Sequence, residues 1–429
     1  MGEFLVGASK EIITPKIGAK LYGYNPITIS TSVNDDLTVT AIAAKQGDIA
    51  VIFISASVCI ISNELSYEIR TEIASHTSIP SENIILSATH THSGPCTSNM
   101  FGWGDIDREY VDEIFKPKII QAAKDAVSKM KPALMGVGCI KSRIGINRRQ
   151  IMADNTVVLG QNPYGIHDDN LTVISFRDSG GASIANMIHY GAHCTAAGNN
   201  TEISRDWAGV MEDRLQNISG GITAFFNGAE GDSGPRLTNG RTTGDIRLAM
   251  EHGGLAAHEA VEAYRSIKEY RSPDLKAAYG QIRLPCDDMI PLEEAQIKLS
   301  MYKDESININ GRRRKYYESV VEAYSKSAPE NKELVIDQTI VKIGPVVFVP
   351  FPFEYFSEIS LRLRENSFFP YTLGLGVTNG SYGYLPTESE LCRGGYEVEM
   401  FLTGFLNPLK KDTDKTIVSE NIRIMRSLL

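Results

Sequence analysis

The order of elements in residues 49–92 constrains the fold more than any other feature of this sequence. "IAVIFISAS", from Ile49, is an apolar run of strand length, and "NELSYEIRTEIASH" follows with apolar residues at helical spacing. Leu65, Ile69 and Ile73 share one face of that helix, and Asn63 is the predicted N-cap. "NIILSATHTH" then has the character of a second buried strand. A strand, helix, strand order predicts an α/β core.

The rest of the chain continues the alternation, with three further helical stretches predicted at about 107–130, 206–217 and about 243–268. We expect Pro117 to kink the first of them. Residues 287–332 are more charged and are interrupted by "DESININGRRRK", before strand character returns in "LVIDQTIVKIGPVVFVPFP". We therefore predict one integrated domain over residues 1–429, with a charged helical insertion at about 287–332.

Composition and charge exclude several classes of function. A net charge of −9 and a pI near 5.5 argue against a protein that coats nucleic acid or an anionic membrane. The longest apolar run, Ile49–Ile61, is shorter than the roughly 20 residues of a membrane-spanning helix. The N-terminal residues lack a signal-peptide pattern, so we expect a cytoplasmic protein without a transmembrane segment. Nothing in the sequence predicts the oligomeric state.

Six cysteines lie in this chain without CxxC spacing, at positions 59, 96, 139, 194, 286 and 392. This distribution disfavours a structural zinc knuckle and a disulfide scaffold, and it predicts buried free thiols.

Two of the eight histidines, His90 and His92, lie where the second strand runs into Ser93-Gly94-Pro95. Alternate residues of a strand point to the same face, so the two side chains would start about 6.5 Å apart. Ligands usually bind at the carboxyl ends of strands in α/β sheets. Metal binding or catalysis is the first interpretation of this pair, and ordinary hydrogen-bonded histidines are the alternative.

A second histidine pair, His189 and His193, lies in "NMIHYGAHCTAAGNN". In an extended chain the two side chains would be about 13 Å apart, which is too far for a single ion bound at zinc–nitrogen distances of about 2.0–2.1 Å. His193 is the favoured ligand because it lies where the strand breaks. His189 is predicted to be a core or edge histidine.

Three other stretches place polar residues beside apolar strands. In "VFVPFPFEYFSEISLRL", Glu354 is predicted to open a helix, as a solvated helix-start charge or as an ion ligand in a pocket. The glycine-rich "VTNGSYGYLPTESELCRGGYE" contains tyrosines, and tyrosines in a loop beside a strand usually pack against neighbouring side chains. "FFNGAEGDSGPR" carries Glu230, Asp232 and Ser233 in a turn that is not a GxSxG elbow. HExxH, P-loop and GxGxxG motifs are absent, so the residues alone indicate an α/β protein with a possible His/Glu metal site.

Eight segments, taken in order, resemble the N-terminal catalytic domain of the neutral/alkaline (non-lysosomal) ceramidases and their bacterial relatives. They are "VGASKEIITP", "SATHTHSGP", "GINRR", "AHCTAAGNN", "SRDWAG", "NGAEGDSGP", "PFPFE" and "GYLPTESELCRGGYE". "THTHSGP" is the most specific, and together the segments cover nearly the whole chain. The resemblance implies a mixed β-sheet core flanked by helices, and a zinc-dependent hydrolase in which metal-activated water attacks the amide of a ceramide-like N-acyl lipid.

The resemblance also implies roles for individual residues. One Zn²⁺ per chain would be held by His90, His193, Glu354 and Tyr384. His92 would lie near the water and the scissile group. Two further active-site residues follow from the same motifs: Arg148 would hold the oxyanion or a polar head of the substrate, and Tyr396 would be the second active-site tyrosine.

The sequence departs from the family pattern in three ways. Gly234 stands where ceramidases carry a serine proposed as catalytic, and Ser233 lies one place earlier, so direct attack by water is the expected mechanism. We also expect neither a C-terminal immunoglobulin-like domain nor a secretion signal. We expect a small-molecule or lipid-like substrate. The alternatives are a metal-dependent hydrolase of an ester or glycan-linked substrate and a non-catalytic relative that binds a lipid or sugar.

Overall fold

Strands and helices alternate along most of the chain, whose computed structural model describes residues 2–24, 27–100, 104–302, 309–327 and 330–429. In chain order the strands are β1 Phe4–Ile12, β2 Lys20–Leu21, β3 Thr28–Ile29, β4 Ser32–Val33, β5 Thr38–Gln46, β6 Ile49–Ala56, β7 Ile84–Ala88, β8 Lys131–Pro132, β9 Leu134–Lys141, β10 Gly145–Ile151, β11 Val157–Asn162, β12 Asn170–Arg177, β13 Ser183–Tyr190, β14 Glu202–Ile203, β15 Ile222–Asn227, β16 Ser233–Pro235, β17 Leu275–Pro285, β18 Glu333–Ile343, β19 Val346–Pro350, β20 Glu354–Tyr355, β21 Tyr371–Leu375 and β22 Tyr384–Leu385.

The α-helices are α1 Asn63–Thr77, α2 Arg108–Tyr110, α3 Lys116–Ser128, α4 Asp206–Ser219, α5 Ile246–Arg265, α6 Leu292–Met301, α7 Ile309–Ser325, α8 Ser357–Glu365, α9 Glu388–Leu391, α10 Tyr396–Leu402 and α11 Thr413–Met425. A π-helical turn spans Val111–Phe115, and 3₁₀ turns span Ser81–Asn83 and Arg426–Leu428.

Three larger sheets carry most of the strands, in the orders β7-β6-β5-β1-β8, β15-β13-β12-β9 and β17-β18-β19-β21. Each sheet is mixed: β6 with β7, β13 with β15, and β19 with β21 are parallel pairs, while the other pairings are antiparallel. The predicted α/β class, a mixed sheet core flanked by helices, is confirmed.

The inner faces of the three sheets share one apolar core. Phe53 of β6 packs against Phe226 of β15, with ring centroids 6.2 Å apart, and against Phe348 of β19, with centroids 4.7 Å apart. Burying each such side chain contributes about 1.5–3 kcal/mol. The helices cover the outer faces: α1 and α3 the first sheet, α4 and α5 the second, and α8 and α11 the third.

Helix α1 agrees with the prediction in position and in its buried face, since Leu65, Ile69 and Ile73 are all buried. Its cap differs. The hydroxyl of Ser62 accepts a hydrogen bond from the Leu65 amide at 3.2 Å, and Asn63 instead bonds the backbone of Ser381. Ser62 caps the helix because a side chain reaches the orphan amides from the residue before the first turn.

The helix predicted over 107–130 is present over residues 108–128, but its hydrogen-bond pattern changes within it. A π-helical turn, Val111–Phe115, joins α2 to α3 and ends two residues before Pro117. Proline has no N–H to donate to the carbonyl four residues earlier, so the regular ladder cannot pass this point. The other two predicted helices, now α4 and α5, agree to within three residues at each end.

The predicted insertion at about 287–332 contains α6 and α7, which lie between β17 and β18 and form a small apolar cluster of their own around Ala295, Tyr316 and Val320. Most of "DESINI" lies outside the described residues. All six cysteines are free; Cys392 is exposed, while Cys139 and Cys286 are half-buried, contrary to the prediction that they are buried. Within the described ranges, no helix has both the length and the apolarity to cross a membrane.

Candidate metal centre

The parallel strands of the three sheets converge on one site at their carboxyl ends. His90 follows β7, His193 follows β13, Glu354 follows β19 and Tyr384 follows β21. Glu354 and Tyr384 are paired directly in the short parallel ladder of β20 and β22. This is the position where ligands bind in open α/β sheets.

Both histidine loops lie beyond the ends of their strands. The strand predicted to extend through His92 ends at Ala88, and His90 has a positive φ of 68°. The predicted proximity of His90 and His92 is correct, since their Nε2 atoms are 3.3 Å apart. The predicted reason, alternation along a strand, is wrong. The turn is held by Asn227, whose side-chain amide donates to the carbonyls of Thr89 and Ala192 at 3.1 Å each.

The protonation of the three site histidines follows from their backbone contacts. Nδ1 of His90 lies 2.8 Å from the Cys59 carbonyl, Nδ1 of His193 lies 2.8 Å from the Glu230 carbonyl, and Nδ1 of His92 lies 3.0 Å from the Gly23 carbonyl. A carbonyl can only accept, so each Nδ1 carries a proton. The neutral rings of His92 and His193 present a lone pair at Nε2. Burial alone would lower the pKa of His90, but Cys59 and Glu354 raise that pKa well above its usual range.

Burial keeps two of these rings neutral. Burial, followed by the charge of Arg148, lowers the pKa of His193 to about 3. Burial and the neighbouring His90 likewise hold the pKa of His92 well below its usual range. Neutral imidazole is the form that binds a metal ion or accepts a proton.

Glu354 brings a carboxylate to the same point. Its Oε2 lies 3.3 Å from Nε2 of His90 and 3.1 Å from Nε2 of His193. Burial alone would raise the pKa of Glu354, but the neighbouring imidazoles, His90 first, hold that pKa well below its usual range. Among the described residues no donor bonds Oε2. Ligand atoms of His90, His193 and Glu354 are buried and all lie within 4.8 Å of one another, an arrangement that could hold a metal ion.

Tyr384 and Arg148 complete one side of the site. The Tyr384 hydroxyl lies 3.3 Å from Nε2 of His193, and it accepts a hydrogen bond from Nη2 of Arg148 at 2.9 Å. Nε of Arg148 donates to the Glu397 carboxylate at 2.9 Å, and the ring of Tyr396 meets that of Tyr384 edge-on at 5.7 Å. Arg148 therefore reaches the site through Tyr384, and its role in holding an oxyanion or a polar head stays a prediction.

A small cavity of about 20 Å³ lies between these groups, enough for a single water molecule. Six residues that sequence reasoning missed line it alongside the predicted ones: Tyr22, Gly23, Cys59, Ile60, Met100 and Met400. Gly23 has a φ of 120°, and a Cβ on it would collide with the ring of His92. The glycine between two tyrosines in "LYGY" was the signal available in the sequence.

Ser233 holds His193 but does not face the cavity. Its carbonyl accepts from the His193 amide at 3.1 Å, while its hydroxyl lies 3.2 Å from Nδ1 of His167. Among the described residues that line the cavity there is no serine. A Cβ on Gly234 would lie 2.8 Å from Cβ of Thr242, so the serine of the family pattern does not fit at position 234.

His189 and Asp232, which were also named from the sequence, stabilise the structure around the site and do not line it. His189 is buried, and its Nε2 lies 2.7 Å from the Gly374 carbonyl, as expected of a core histidine. Asp232 accepts from the amide and the hydroxyl of Ser357 at 2.7 Å each, which fixes the start of α8. The helix predicted to open at Glu354 begins at Ser357, because Glu354 is itself in the β20 ladder.

Comparison with known proteins identifies the chain's relatives. Residues 4–249, more than half of the chain, match the family described as "Neutral/alkaline non-lysosomal ceramidase, N-terminal". The chain belongs to the neutral/alkaline ceramidase family. This confirms the resemblance seen in the sequence motifs.

Two curated relatives of this ceramidase-family chain come from Dictyostelium discoideum. Neutral ceramidase A is 30% identical over 223 residues, covering 47% of this chain and 31% of the relative. Neutral ceramidase B is 26% identical over 263 residues, covering 56% of this chain and 35% of the relative. The matched part of the chain thus spans about a third of the length of these relatives.

Two solved structures share the fold of this ceramidase-family chain. The neutral ceramidase from Pseudomonas aeruginosa superposes with a TM-score of 0.77 at 17% identity, covering 100% of this chain and 75% of that chain. A ceramidase complexed with C2 gives the same TM-score at 15% identity, again with 100% and 75% coverage.

Proposed function

We propose that this ceramidase-family chain is a zinc-dependent hydrolase of amide bonds, with N-acyl, lipid-like compounds as its substrate class. The observation that carries the proposal is geometric: the Nε2 atoms of His90 and His193, whose Nδ1 atoms both face backbone carbonyls, lie 3.3 and 3.1 Å from one buried carboxylate oxygen of Glu354. Family membership supports the amide as the bond that is cleaved.

The donor set fits a zinc ion held by His90, His193, Glu354 and Tyr384. Two imidazole nitrogens, a carboxylate oxygen and a phenol oxygen are ligand types that zinc accepts, whereas magnesium and calcium favour shells of oxygen alone. A bound zinc ion supplies positive charge that acidifies water and polarises a carbonyl group. Burial raises the pKa of Tyr384 well above its usual range, and the charge of Arg148, which donates a hydrogen bond to that oxygen, acts against this rise.

His92 is the group placed to move protons in this reaction. Its Nε2 is unprotonated at the cavity wall, since Nδ1 donates to Gly23. As water adds to the carbonyl carbon, its proton passes to Nε2, and the carbonyl oxygen takes the negative charge. When the C–N bond breaks, Nε2 returns that proton to the leaving nitrogen, so that a carboxylic acid and an amine are the products.

A substrate panel tests the proposal. Purified protein, loaded with zinc or stripped with a chelator, is assayed on matched N-acyl and O-acyl compounds of several chain lengths. We expect amide hydrolysis that needs about one zinc per chain. Cleavage of esters alone would favour the alternative of an ester hydrolase, and a folded, metal-free protein without activity would favour a ligand-binding relative.

Ser233→Ala separates a water mechanism from a serine mechanism. We expect kcat to be nearly unchanged, because the Ser233 hydroxyl contacts His167 and does not line the cavity. Loss of a nucleophilic serine would instead cost kcat about 10⁶-fold. Steady-state kinetics on the best amide of the panel give the answer, with the melting temperature as the control for folding.

A further inference from the structure

The phenol of Tyr22 lines the same cavity as His90, His92 and Glu354. Its side chain is buried, with the residue 2% exposed, and no hydrogen-bond partner for its hydroxyl exists among the described residues. A buried hydroxyl without a partner destabilises a protein, so its presence in a site wall points to a ligand that it bonds.

The backbone fixes Tyr22 beside the histidine loop. Leu21, the last residue of β2, forms a bridge with Pro95, and the Tyr22 amide donates to the Gly94 carbonyl at 2.9 Å. Gly23 then accepts from His92. The Tyr22 ring is therefore anchored to the segment that carries His90 and His92.

The Tyr22 side chain shares the cavity wall with Cys59, Glu354 and Tyr396. A phenol carries one O–H donor, and the Tyr22 hydroxyl has no partner among the described residues to receive it. It is therefore available to donate a hydrogen bond to a group bound in the cavity.

Arg148, a second strong donor at the site, already has partners. The guanidinium of Arg148 donates to Glu397 and to Tyr384. In amide hydrolysis the carbonyl oxygen gains a full negative charge, and a preorganised donor aimed at that oxygen accelerates the step. We propose that Tyr22 is a further catalytic residue, whose O–H donates to the scissile carbonyl oxygen as it becomes an oxyanion. This inference rests on the proposed amide hydrolysis, and the hydrogen bond itself transfers no proton.

Tyr22→Phe tests the inference against Tyr110→Phe. Both tyrosines belong to the same apolar cluster, but the Tyr110 hydroxyl donates to the Ile13 carbonyl at 2.8 Å and lies outside the cavity. We expect Tyr22→Phe to lower kcat about 100-fold, with little change in KM, zinc content or melting temperature. Tyr110→Phe should show the opposite pattern, a lower melting temperature with kcat retained.

Binding of a phosphinate isostere of the best amide substrate gives a readout independent of turnover. The phosphinate carries the negative oxygen of the tetrahedral state, so Tyr22→Phe should weaken its binding by calorimetry about as much as it lowers kcat. A Tyr22→Phe protein that matches the wild type in both kcat and phosphinate affinity overturns the inference alone. A wild-type protein that cleaves no amide and binds no phosphinate overturns the proposed function and the inference with it.

Discussion

The His193→Ala protein is expected to lose its zinc at micromolar free metal and to lose about 1,000-fold or more in kcat/KM. Loss of an outer-shell partner typically costs 10–100-fold in metal affinity or activity, and a direct ligand costs more. His193 contributes a neutral Nε2 that lies 3.1 Å from Glu354 and 3.3 Å from the Tyr384 hydroxyl. Elemental analysis after dialysis and steady-state kinetics measure the two losses.

His189→Gln is the matched control for this variant. His189 lies four residues earlier and is also buried, but it contacts the Gly374 carbonyl rather than the site. We expect this protein to keep one zinc per chain and most of its activity. If the two variants lose zinc equally, the loss reflects unfolding of the β13 region rather than removal of a ligand.

Glu397→Ala is expected to lower the free energy of unfolding by about 3–5 kcal/mol, because removing one partner of a buried ion pair leaves the other charge uncompensated. The Glu397 carboxylate accepts from Nε of Arg148 at 2.9 Å and from Nη1 of Arg149 at 2.7 Å. All three side chains are buried. Urea unfolding followed by fluorescence measures the loss.

Glu390→Ala removes a neighbouring carboxylate from the same cluster as a control. Glu390 pairs with Arg149 at 2.9 Å but is partly exposed, so its removal should cost no more than about 1 kcal/mol. Only Glu397→Ala should also reduce kcat, since Arg148 would lose the partner that aligns it with Tyr384. Equal stability losses in the two variants would contradict the central role of Glu397.

Local sequence patterns predicted the elements of this fold better than they predicted the site. Runs such as 49–57 and the spacing of Leu65, Ile69 and Ile73 determine a strand and a helix, because burial follows directly from their periodicity. The parallel strand pairs that bring four segments together have no local signature. The residue patterns alone left His90 and Glu354 open between structural and metal roles, and the resemblance to ceramidases was needed to choose among them.

Several features of the site depend on tertiary contacts that a sequence does not display. The positive φ of His90 occurs in a residue that is not glycine, and a long-range hydrogen-bond network from Asn227 supports the adjoining turn. Tyr22 and Glu397 went unnoticed because each matters through partners far along the chain. The glycine beside Tyr22 and the tyrosine beside Glu397 were the available clues.

Anomalous diffraction at the zinc absorption edge, from crystals of zinc-loaded protein, tests the central claim most directly. We expect one strong peak within bonding distance of Nε2 of His90, Nε2 of His193, a carboxylate oxygen of Glu354 and the Tyr384 hydroxyl. A fully loaded crystal whose only zinc peak lies elsewhere, or one with no peak among these four side chains, would contradict it.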